Sequence, residues 1–175
     1  MKIAVINRGV VGSGKSTFAE KLKEIAAIHG FTCNIHNTDQ YHMVGGVYKF
    51  NMSKLGFYHK QNLEAFIQSM TDGINIVVCD NTNTTPKEYK KYVNEAKKAG
   101  YVVVAVVFIP DVLEVHFSRN DHCVPESVVA NMIHKLNNNL ETEDVDCSFD
   151  VKPNAPYIKF PERMALVAEQ VLNQG

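Results

Sequence analysis

A glycine-rich segment near the start of the chain, residues 9–17 with the sequence GVVGSGKST, constrains the fold more than any other feature. It follows an apolar run at residues 3–6 and precedes an amphipathic stretch at residues 18–28, which is the strand–turn–helix order of a phosphate-binding loop. Glycine lets successive backbone N–H groups point at an anion, beside the positive end of the helix dipole. We therefore expect a nucleoside triphosphate to bind this phosphate loop through Gly9, Gly12, Ser13, Gly14, Lys15, Ser16 and Thr17.

Two side chains of the phosphate loop have distinct expected roles. Lys15 is placed to reach the β- and γ-phosphates, and the Ser16 hydroxyl is placed to ligate Mg²⁺. A dinucleotide-binding loop would carry another glycine three residues after Gly14, where this chain has Thr17. The pattern therefore favours ATP with Mg²⁺ as the cofactors.

The composition sets limits on the kind of protein. A chain of 175 residues with 45% hydrophobic residues has enough apolar side chains for one core, so we expect a single domain at 1–175. The net charge of −1 argues against a protein that coats long nucleic acids, while a small footprint on a nucleic-acid end stays compatible. We expect no membrane span and no signal peptide, and the scattered cysteines are typical of the reducing cytoplasm.

Apolar strands alternate with amphipathic helices along most of the chain. The pattern predicts strands at 2–7, 31–37, 74–79 and 101–109, and helices at 16–29, 53–70, 86–99, 112–119, 125–140 and 162–172. Residues 40–51 are expected to form a functional loop or short hairpin, and residues 141–161 a loop. Such alternation indicates an α/β fold with a largely parallel sheet and helices on both faces.

Polar residues follow the first three predicted strands. Ligands of parallel sheets lie beyond the carboxyl ends of the strands, so residues 38–42 and 80–85 should meet the phosphate loop in one cleft. Asp39 is a candidate base for an acceptor hydroxyl, with an Asx turn or a helix cap as the structural alternative. Asp80 ends an apolar strand in the way that a metal-binding Walker-B carboxylate does. Asn81 follows it where motor ATPases commonly carry glutamate, which favours transfer over hydrolysis.

Two groups of cations are further candidates. Arg119 is one of only three arginines and falls between two predicted helices, where a planar guanidinium is suited to clamp phosphate oxygens. An ordinary surface arginine is the alternative. The lysines of the predicted helix at 86–99 form either a solvated face or a contact with a phosphate backbone.

Five separated segments between residues 3 and 140 together resemble the polynucleotide-kinase-like P-loop kinases, which include the kinase half of phage polynucleotide kinase/phosphatase. Their order and spacing are more specific than the phosphate loop alone. The segments are 9–17, 37–39 (NTD), 45–51 (GGVYKFN), 80–83 (DNTN) and 119–125 (RNDHCVP).

The resemblance implies a P-loop kinase fold with a helical lid at about 112–140, followed by a C-terminal loop and helix at 141–175. It implies that Lys15 and Ser16 bind ATP and Mg²⁺, that Asp39 activates a 5′-hydroxyl, and that Arg119 contacts the ATP phosphates from the lid. Asp80 would lie near the metal. The acceptor side would be formed by Asp39, His42, Asp80, Thr82 and Asn83.

The chain departs from the phage enzymes at two places. Those enzymes carry an arginine three residues beyond the catalytic aspartate, where this chain has His42, and the lid is poorer in basic residues, with Asp121 directly after Asn120. Both changes lower the expected affinity for a polyanionic acceptor. We expect an ATP-dependent kinase acting on a hydroxyl, first of all a 5′ end of RNA or DNA. A small-molecule kinase and a non-catalytic ATP-binding switch or adaptor are the alternatives.

Overall fold

A five-stranded parallel sheet forms the centre of the computed structural model, which describes residues 1–120, 123–153 and 160–174. The strand order is β2-β5-β1-β6-β7, and each neighbouring pair is parallel. A separate two-stranded antiparallel hairpin precedes the third sheet strand. The strands are β1 (Ile3–Arg8), β2 (Cys33–His36), β3 (Met43–Val44), β4 (Val47–Tyr48), β5 (Ile76–Cys79), β6 (Val102–Phe108) and β7 (Cys147–Val151).

Helices cover both faces of the sheet, as the alternating pattern predicts. The α-helices are α1 (Lys15–Ile28), α2 (Leu55–Thr71), α3 (Pro86–Lys98), α4 (Leu113–Ser118), α5 (Glu126–Asn137) and α6 (Phe160–Leu172). The apolar sides of α1 and α6 pack on one face of the sheet, and those of α2 and α3 pack on the other. Short 3₁₀ helices at Thr38–His42 and Met52–Lys54 flank the hairpin.

Strand β1 is the central strand because its apolar run is buried on both faces. All six of its residues are buried, and Ile3 pairs with Ile76 on one side and with Val102 on the other. The phosphate loop leaves the carboxyl end of this strand, with the ends of β2 and β5 to one side of it. The sheet order therefore brings the three predicted polar segments to one edge.

Strand β7 corrects the prediction of a loop at residues 141–161. Residues Cys147–Val151 pair with β6 at the edge of the sheet, in the register that places Val104 opposite Cys147. The strand alternates between exposed and more buried residues, because only one of its faces meets the core. The exposed Ser148 and Asp150, together with the acidic residues at 141–146 before the strand, hid this pattern in the sequence. Residues 154–159 of the predicted loop lie outside the described residues.

Two predicted segments differ from the structure at their ends. Helix α6 begins at Phe160, two residues before the predicted start. The predicted lid corresponds to α4 and α5, and Asp121 and His122 between them lie outside the described residues. None of the helices in the described ranges combines the length and the apolar character needed to span a bilayer.

Arg8, the last residue of β1, ties the sheet to the far end of α5. Its side chain is fully buried, and its guanidinium lies 4.7 Å from the centre of the Tyr89 ring. Burial lowers the pKa of Arg8, yet the group keeps many hydrogen-bond partners. It donates to the carbonyl oxygens of Asn83 (3.0 Å), Asn139, Leu140 (3.0 Å) and Glu141 (3.1 Å), and to the Thr142 hydroxyl (2.7 Å).

Candidate functional site

One cleft of about 1320 Å³ lies at the carboxyl edge of the sheet. Its walls come from the phosphate loop, the ends of β2 and β5, the hairpin segment, and helices α4 and α5. The predicted residues that line it are Gly12, Ser13, Gly14, Lys15, Ser16, Thr17, Asp39, Asp80, Thr82 and Arg119. The structure therefore brings most of the candidate residues together.

Glycines shape the phosphate loop. Gly12 and Gly14 have φ angles of 68° and 93°, which L-residues with side chains rarely adopt. A Cβ at Gly12 would lie 2.8 Å from the His116 carbonyl oxygen, so only glycine allows α4 to approach the loop. Gly9 does not line the cleft; a Cβ there would lie 2.9 Å from the Cβ of Phe108, which makes its role one of packing.

The charge balance of the loop suits an anion. Helix α1 begins directly after Gly14 and carries no acidic residue in its first turn, so its N–H groups and dipole are not neutralised. Lys15 is buried, and its Nζ donates to the Val10 carbonyl oxygen at 2.8 Å. Burial lowers the pKa of Lys15, while Asp80 and Asp39 act in the opposite direction. Phosphate oxygens at this loop would meet a buried cation and a helix N-terminus.

Asp80 follows β5 and is held at both carboxylate oxygens. Oδ1 accepts a hydrogen bond from Asn7 Nδ2 at 2.9 Å, and Oδ2 accepts one from Ser16 Oγ at 2.8 Å. A hydroxyl beside a carboxylate is the oxygen donor set that Mg²⁺ uses when it binds together with substrate phosphates. Within the described part of the chain no three His, Cys, Asp or Glu side chains form a metal cluster. Ser16 and Asp80 therefore fit a metal that shares its coordination with phosphates and water.

Asp39 lines the same cleft from the 3₁₀ helix after β2. The Asn37 side chain caps this helix by accepting from the Asp39 N–H at 2.8 Å. Tyr48, from the hairpin, donates from its hydroxyl to Asp39 Oδ1 at 3.3 Å. Burial, with Asp39 nearby, raises the pKa of Tyr48 to about 12, so its hydroxyl is a donor at neutral pH. Tyr48 thus orients the carboxylate, while Asn37 holds the backbone that carries it.

Thr38 links the ends of β2 and β5 to helix α2. Its N–H donates to Asn81 Oδ1 at 2.9 Å, and its hydroxyl lies 3.1 Å from His59 Nδ1. His59 lines the cleft, and its pKa is lowered mainly by burial and further by Lys91. The backbone that carries Asp39 is therefore fixed to two neighbouring elements.

Two predicted acceptor residues do not line the cleft. Asn83 is buried with a φ of 47°, and its Nδ2 donates to the Asn7 carbonyl oxygen at 2.8 Å, which braces the start of the phosphate loop. His42 is 1% exposed and packs among the rings of Tyr48, Phe50 and Tyr58. Because aromatic side chains surround it, His42 does not occupy the place of a charged acceptor contact.

Arg119 follows α4 and is exposed at the cleft, next to the phosphate loop. A Cβ at Gly12 would lie 3.0 Å from the Cβ of Arg119, which shows how close the two segments are. An exposed guanidinium at this place is free of the desolvation cost of a buried charge. It is available for an anionic ligand in the cleft.

Asn7 and Tyr48 are the site residues that the sequence analysis missed. The sequence did hold a sign of Asn7, since it is a polar residue in the last two positions of an otherwise apolar strand, just before the loop. The sequence held no comparable sign of Tyr48, because its contact with Asp39 depends on the folding of the hairpin.

Comparison with known proteins identifies the family and the fold. A family model described as an AAA domain matches residues 5–136. Human NEDD4-binding protein 2 is 33% identical over 102 residues, which are 58% of this chain, and the match spans only 6% of that protein's length.

Solved structures share the fold at low sequence identity. Kti12 of Chaetomium thermophilum in complex with ADP-AlF3 is 16% identical, with a TM-score of 0.67 and 97% of each chain covered. The Mycobacterium tuberculosis APS kinase CysC in complex with AMPPNP and APS is 14% identical, with a TM-score of 0.62 and 98% of each chain covered. A gluconokinase from Sinorhizobium meliloti is 18% identical, with a TM-score of 0.60, covering 98% of this chain and 91% of that chain.

Proposed function

We propose that this chain, which belongs to the AAA domain family, is an ATP-dependent kinase that transfers the γ-phosphate of ATP to a hydroxyl group. The observation that carries the proposal is one cleft that joins a phosphate loop to Asp39, an oriented carboxylate from a different strand end. A protein that only binds nucleotide has no need of a base on that side. The combination therefore favours transfer to an acceptor.

The donor half of the reaction would use the phosphate loop. Its backbone N–H groups and Lys15 bind the β- and γ-phosphates of ATP, and the exposed Arg119 contacts them from the lid side. Ser16 and Asp80 are the residues that would hold Mg²⁺, which when bound neutralises phosphate charge. Lys15 and Arg119 stabilise the negative charge that spreads over the phosphoryl group during transfer.

The acceptor half would use Asp39. Its carboxylate accepts the proton of the acceptor hydroxyl as the oxygen bonds to the γ-phosphorus. The bond from the γ-phosphorus to the β,γ-bridging oxygen breaks in the same transfer and ADP leaves, while Tyr48 keeps the carboxylate oriented. Bases matched to this task contribute about 10²- to 10⁴-fold to the rate. The fixed hydrogen bonds of Thr38 preserve this geometry from one turnover to the next.

We propose a 5′-hydroxyl end of RNA or DNA as the acceptor. Its support is the set of five segments that resemble polynucleotide-kinase-like enzymes, all five of which contribute residues to the cleft walls. A net charge of −1 suits a contact with a few nucleotides at an end, and not a long groove for nucleic acid.

A small-molecule kinase is the second candidate. The observation that favours it is the modest cationic content of the cleft, whose described lining residues include Lys15, Arg119 and Lys135. All three belong to the loop or the lid, on the side proposed for ATP. An uncharged hydroxyl compound would need no cation on the acceptor side.

The test is transfer of labelled γ-phosphate from ATP to a panel of acceptors. The panel contains RNA and DNA oligonucleotides with 5′-hydroxyl ends, nucleoside 3′-monophosphates, free nucleosides and sugars. We expect label on oligonucleotide ends, at least about 100-fold less with Asp39→Asn, and none with Lys15→Ala. Asp72→Asn, an exposed position at the end of α2, is the matched control and should transfer normally.

Other results would change the proposal. Label on small acceptors alone would establish the second candidate. ATP binding without label on any acceptor would remove the kinase proposal. Normal transfer by Asp39→Asn would show that another group is the base.

A further inference from the structure

An exposed aromatic ring lies on the acceptor side of the cleft, and the steps proposed above leave it without a role. Phe50 follows the hairpin, lines the cleft and is 53% exposed. Met52 and Leu55 continue the same wall, and Met52 is also largely exposed. Large apolar side chains that stay exposed at the edge of a cleft mark a surface for a ligand. We call Phe50, Met52 and Leu55 the apolar rim.

The Phe50 ring is supported from beneath. Its centroid is 5.0 Å from that of His42, with 32° between the ring planes. His42 is itself buried, meets Tyr58 edge-on at 4.8 Å, and accepts a hydrogen bond from the Asn51 N–H at 3.2 Å. A ring that is already packed on one side loses little conformational entropy when a ligand covers the other.

The distribution of charge decides which ligand suits the apolar rim. The cationic side chains among the described cleft-lining residues come from the phosphate loop, the end of α4, and α5, and the rim itself is made of apolar side chains. A sugar acceptor would need hydrogen-bond partners for its several hydroxyls. A planar heterocycle needs a ring to stack on, since every base has a π-face.

We propose that Phe50 is the stacking platform for the nucleobase of the nucleotide that carries the accepting hydroxyl, with Met52 packed against the edge of that base. The proposal rests on the proposed function and names the acceptor as a nucleotide end. Stacking on an aromatic ring is tolerant of base identity, so all four bases should be accepted. A 5′-terminal residue that lacks its base should be a poor acceptor.

Binding can be followed directly by tryptophan fluorescence, because the chain itself contains no tryptophan. Phe50→Trp places a single indole in the rim, and stacking on a base quenches its emission. Phe57→Trp is the matched control, since Phe57 is 60% exposed on α2 and is not among the cleft-lining residues. We expect a 5′-hydroxyl oligonucleotide to quench Phe50→Trp and not Phe57→Trp. The same oligonucleotide with an abasic 5′-terminal residue should quench much less.

A kinetic measurement covers the case in which the indole itself alters the site. Phe50→Ala should raise the KM for a 5′-hydroxyl oligonucleotide about tenfold. Its dissociation constant for ATP and its melting temperature should stay close to the original values. Phe57→Ala should leave all of these quantities unchanged.

The outcomes separate this inference from the proposed function. Transfer to oligonucleotides with the same KM in Phe50→Ala would overturn the platform and leave the kinase proposal standing. Equal quenching by intact and abasic ends would also overturn the platform. Quenching specific to Phe50→Trp, without transfer to any acceptor, would support the platform and remove the kinase proposal.

Discussion

Asn7 Nδ2 donates a 2.9 Å hydrogen bond to Asp80 Oδ1, across the neighbouring strands β1 and β5. The other oxygen, Asp80 Oδ2, accepts a hydrogen bond from Ser16 Oγ, so the two oxygens have different partners. Asn7 is fully buried and contacts neither ATP nor an acceptor in the proposed reaction. It is therefore a positioning residue that acts through Asp80.

We predict that Asn7→Leu weakens the use of Mg²⁺. Leucine has a similar volume but cannot donate, so Asp80 loses the bond that fixes its orientation. The Mg²⁺ concentration for half-maximal transfer should rise about tenfold, within the range seen for partners of metal ligands. Binding of ATP measured in EDTA should stay unchanged, and this measurement separates a loss of positioning from a collapse of the loop. An unaltered Mg²⁺ dependence would contradict the assigned role.

Tyr48→Phe is predicted to slow transfer without weakening ATP binding. The Tyr48 hydroxyl donates to Asp39 Oδ1 at 3.3 Å and so holds the carboxylate that accepts the acceptor proton. Without this donor the carboxylate is less well oriented, so kcat should fall by about 10- to 100-fold. The dissociation constant for ATP should stay close to its original value. An unchanged kcat would contradict the positioning role of Tyr48.

Gly12→Ala should weaken ATP binding through the lid. A Cβ at Gly12 would meet the His116 carbonyl oxygen at 2.8 Å and would also have an unfavourable φ of 68°. Gly45 has a similar φ of 59° but open space around it, so Gly45→Ala measures the cost of the backbone conformation alone, about 1 kcal/mol. Gly12→Ala should lower both the free energy of unfolding, measured with urea, and the affinity for ATP, measured by titration, by more than Gly45→Ala does. Equal effects would exclude the steric explanation.

Acid should destabilise the fold through His36. Its ring is buried, lies edge-on to Phe66 and is within 3.0 Å of Ser69 Oγ, and burial lowers its pKa to about 4. Because the unfolded chain takes up this proton near pH 6.5, the neutral ring contributes stability above that pH, which is lost as the pH falls towards 4. The loss between pH 7 and 4 amounts to about 3 kcal/mol. Urea unfolding of His36→Gln should show a correspondingly weaker pH dependence than the unaltered chain.

Substitution of Arg8 should mainly lower stability, whereas substitution of Arg119 should mainly slow transfer. Arg8→Leu removes the donor of several backbone carbonyls at the end of α5, so the free energy of unfolding should fall by at least about 3 kcal/mol. Arg119→Leu, at an exposed position, should change it by less than about 0.5 kcal/mol while slowing transfer sharply. Urea unfolding and the transfer assay, run on both variants, test the contrast. Similar stability losses would contradict it.

The sequence predicted the parts of the site that follow from strand order. Asp80 comes directly after the apolar strand β5, Asp39 lies three residues after the end of β2, and parallel strands end at one edge. Their meeting with the phosphate loop therefore needed no knowledge of side-chain packing. The edge strand β7 was missed because only alternate residues contact the core, which a run of acidic neighbours conceals.

His42 shows where prediction from sequence reaches its limit. Its spacing from Asp39 suggests a contact with the acceptor, yet the structure buries it beneath Phe50. That arrangement depends on the hairpin, which brings distant aromatic residues together. Asn7 is a similar case, since its partner Asp80 is 73 residues away along the chain.

The contacts of Arg8 limit how the predicted lid at α5 could move. They anchor the C-terminal end of α5, so any rotation of this 12-residue helix pivots there, and displacement grows with distance from the pivot. The helix is about 18 Å long, and a 20° rotation would shift its first residue by about 6 Å. Lys135, near the pivot, would shift by only about 1 Å. Any such rotation would therefore be graded along α5: its N-terminal end would move across the cleft mouth, and Lys135 would keep its distance from the sheet.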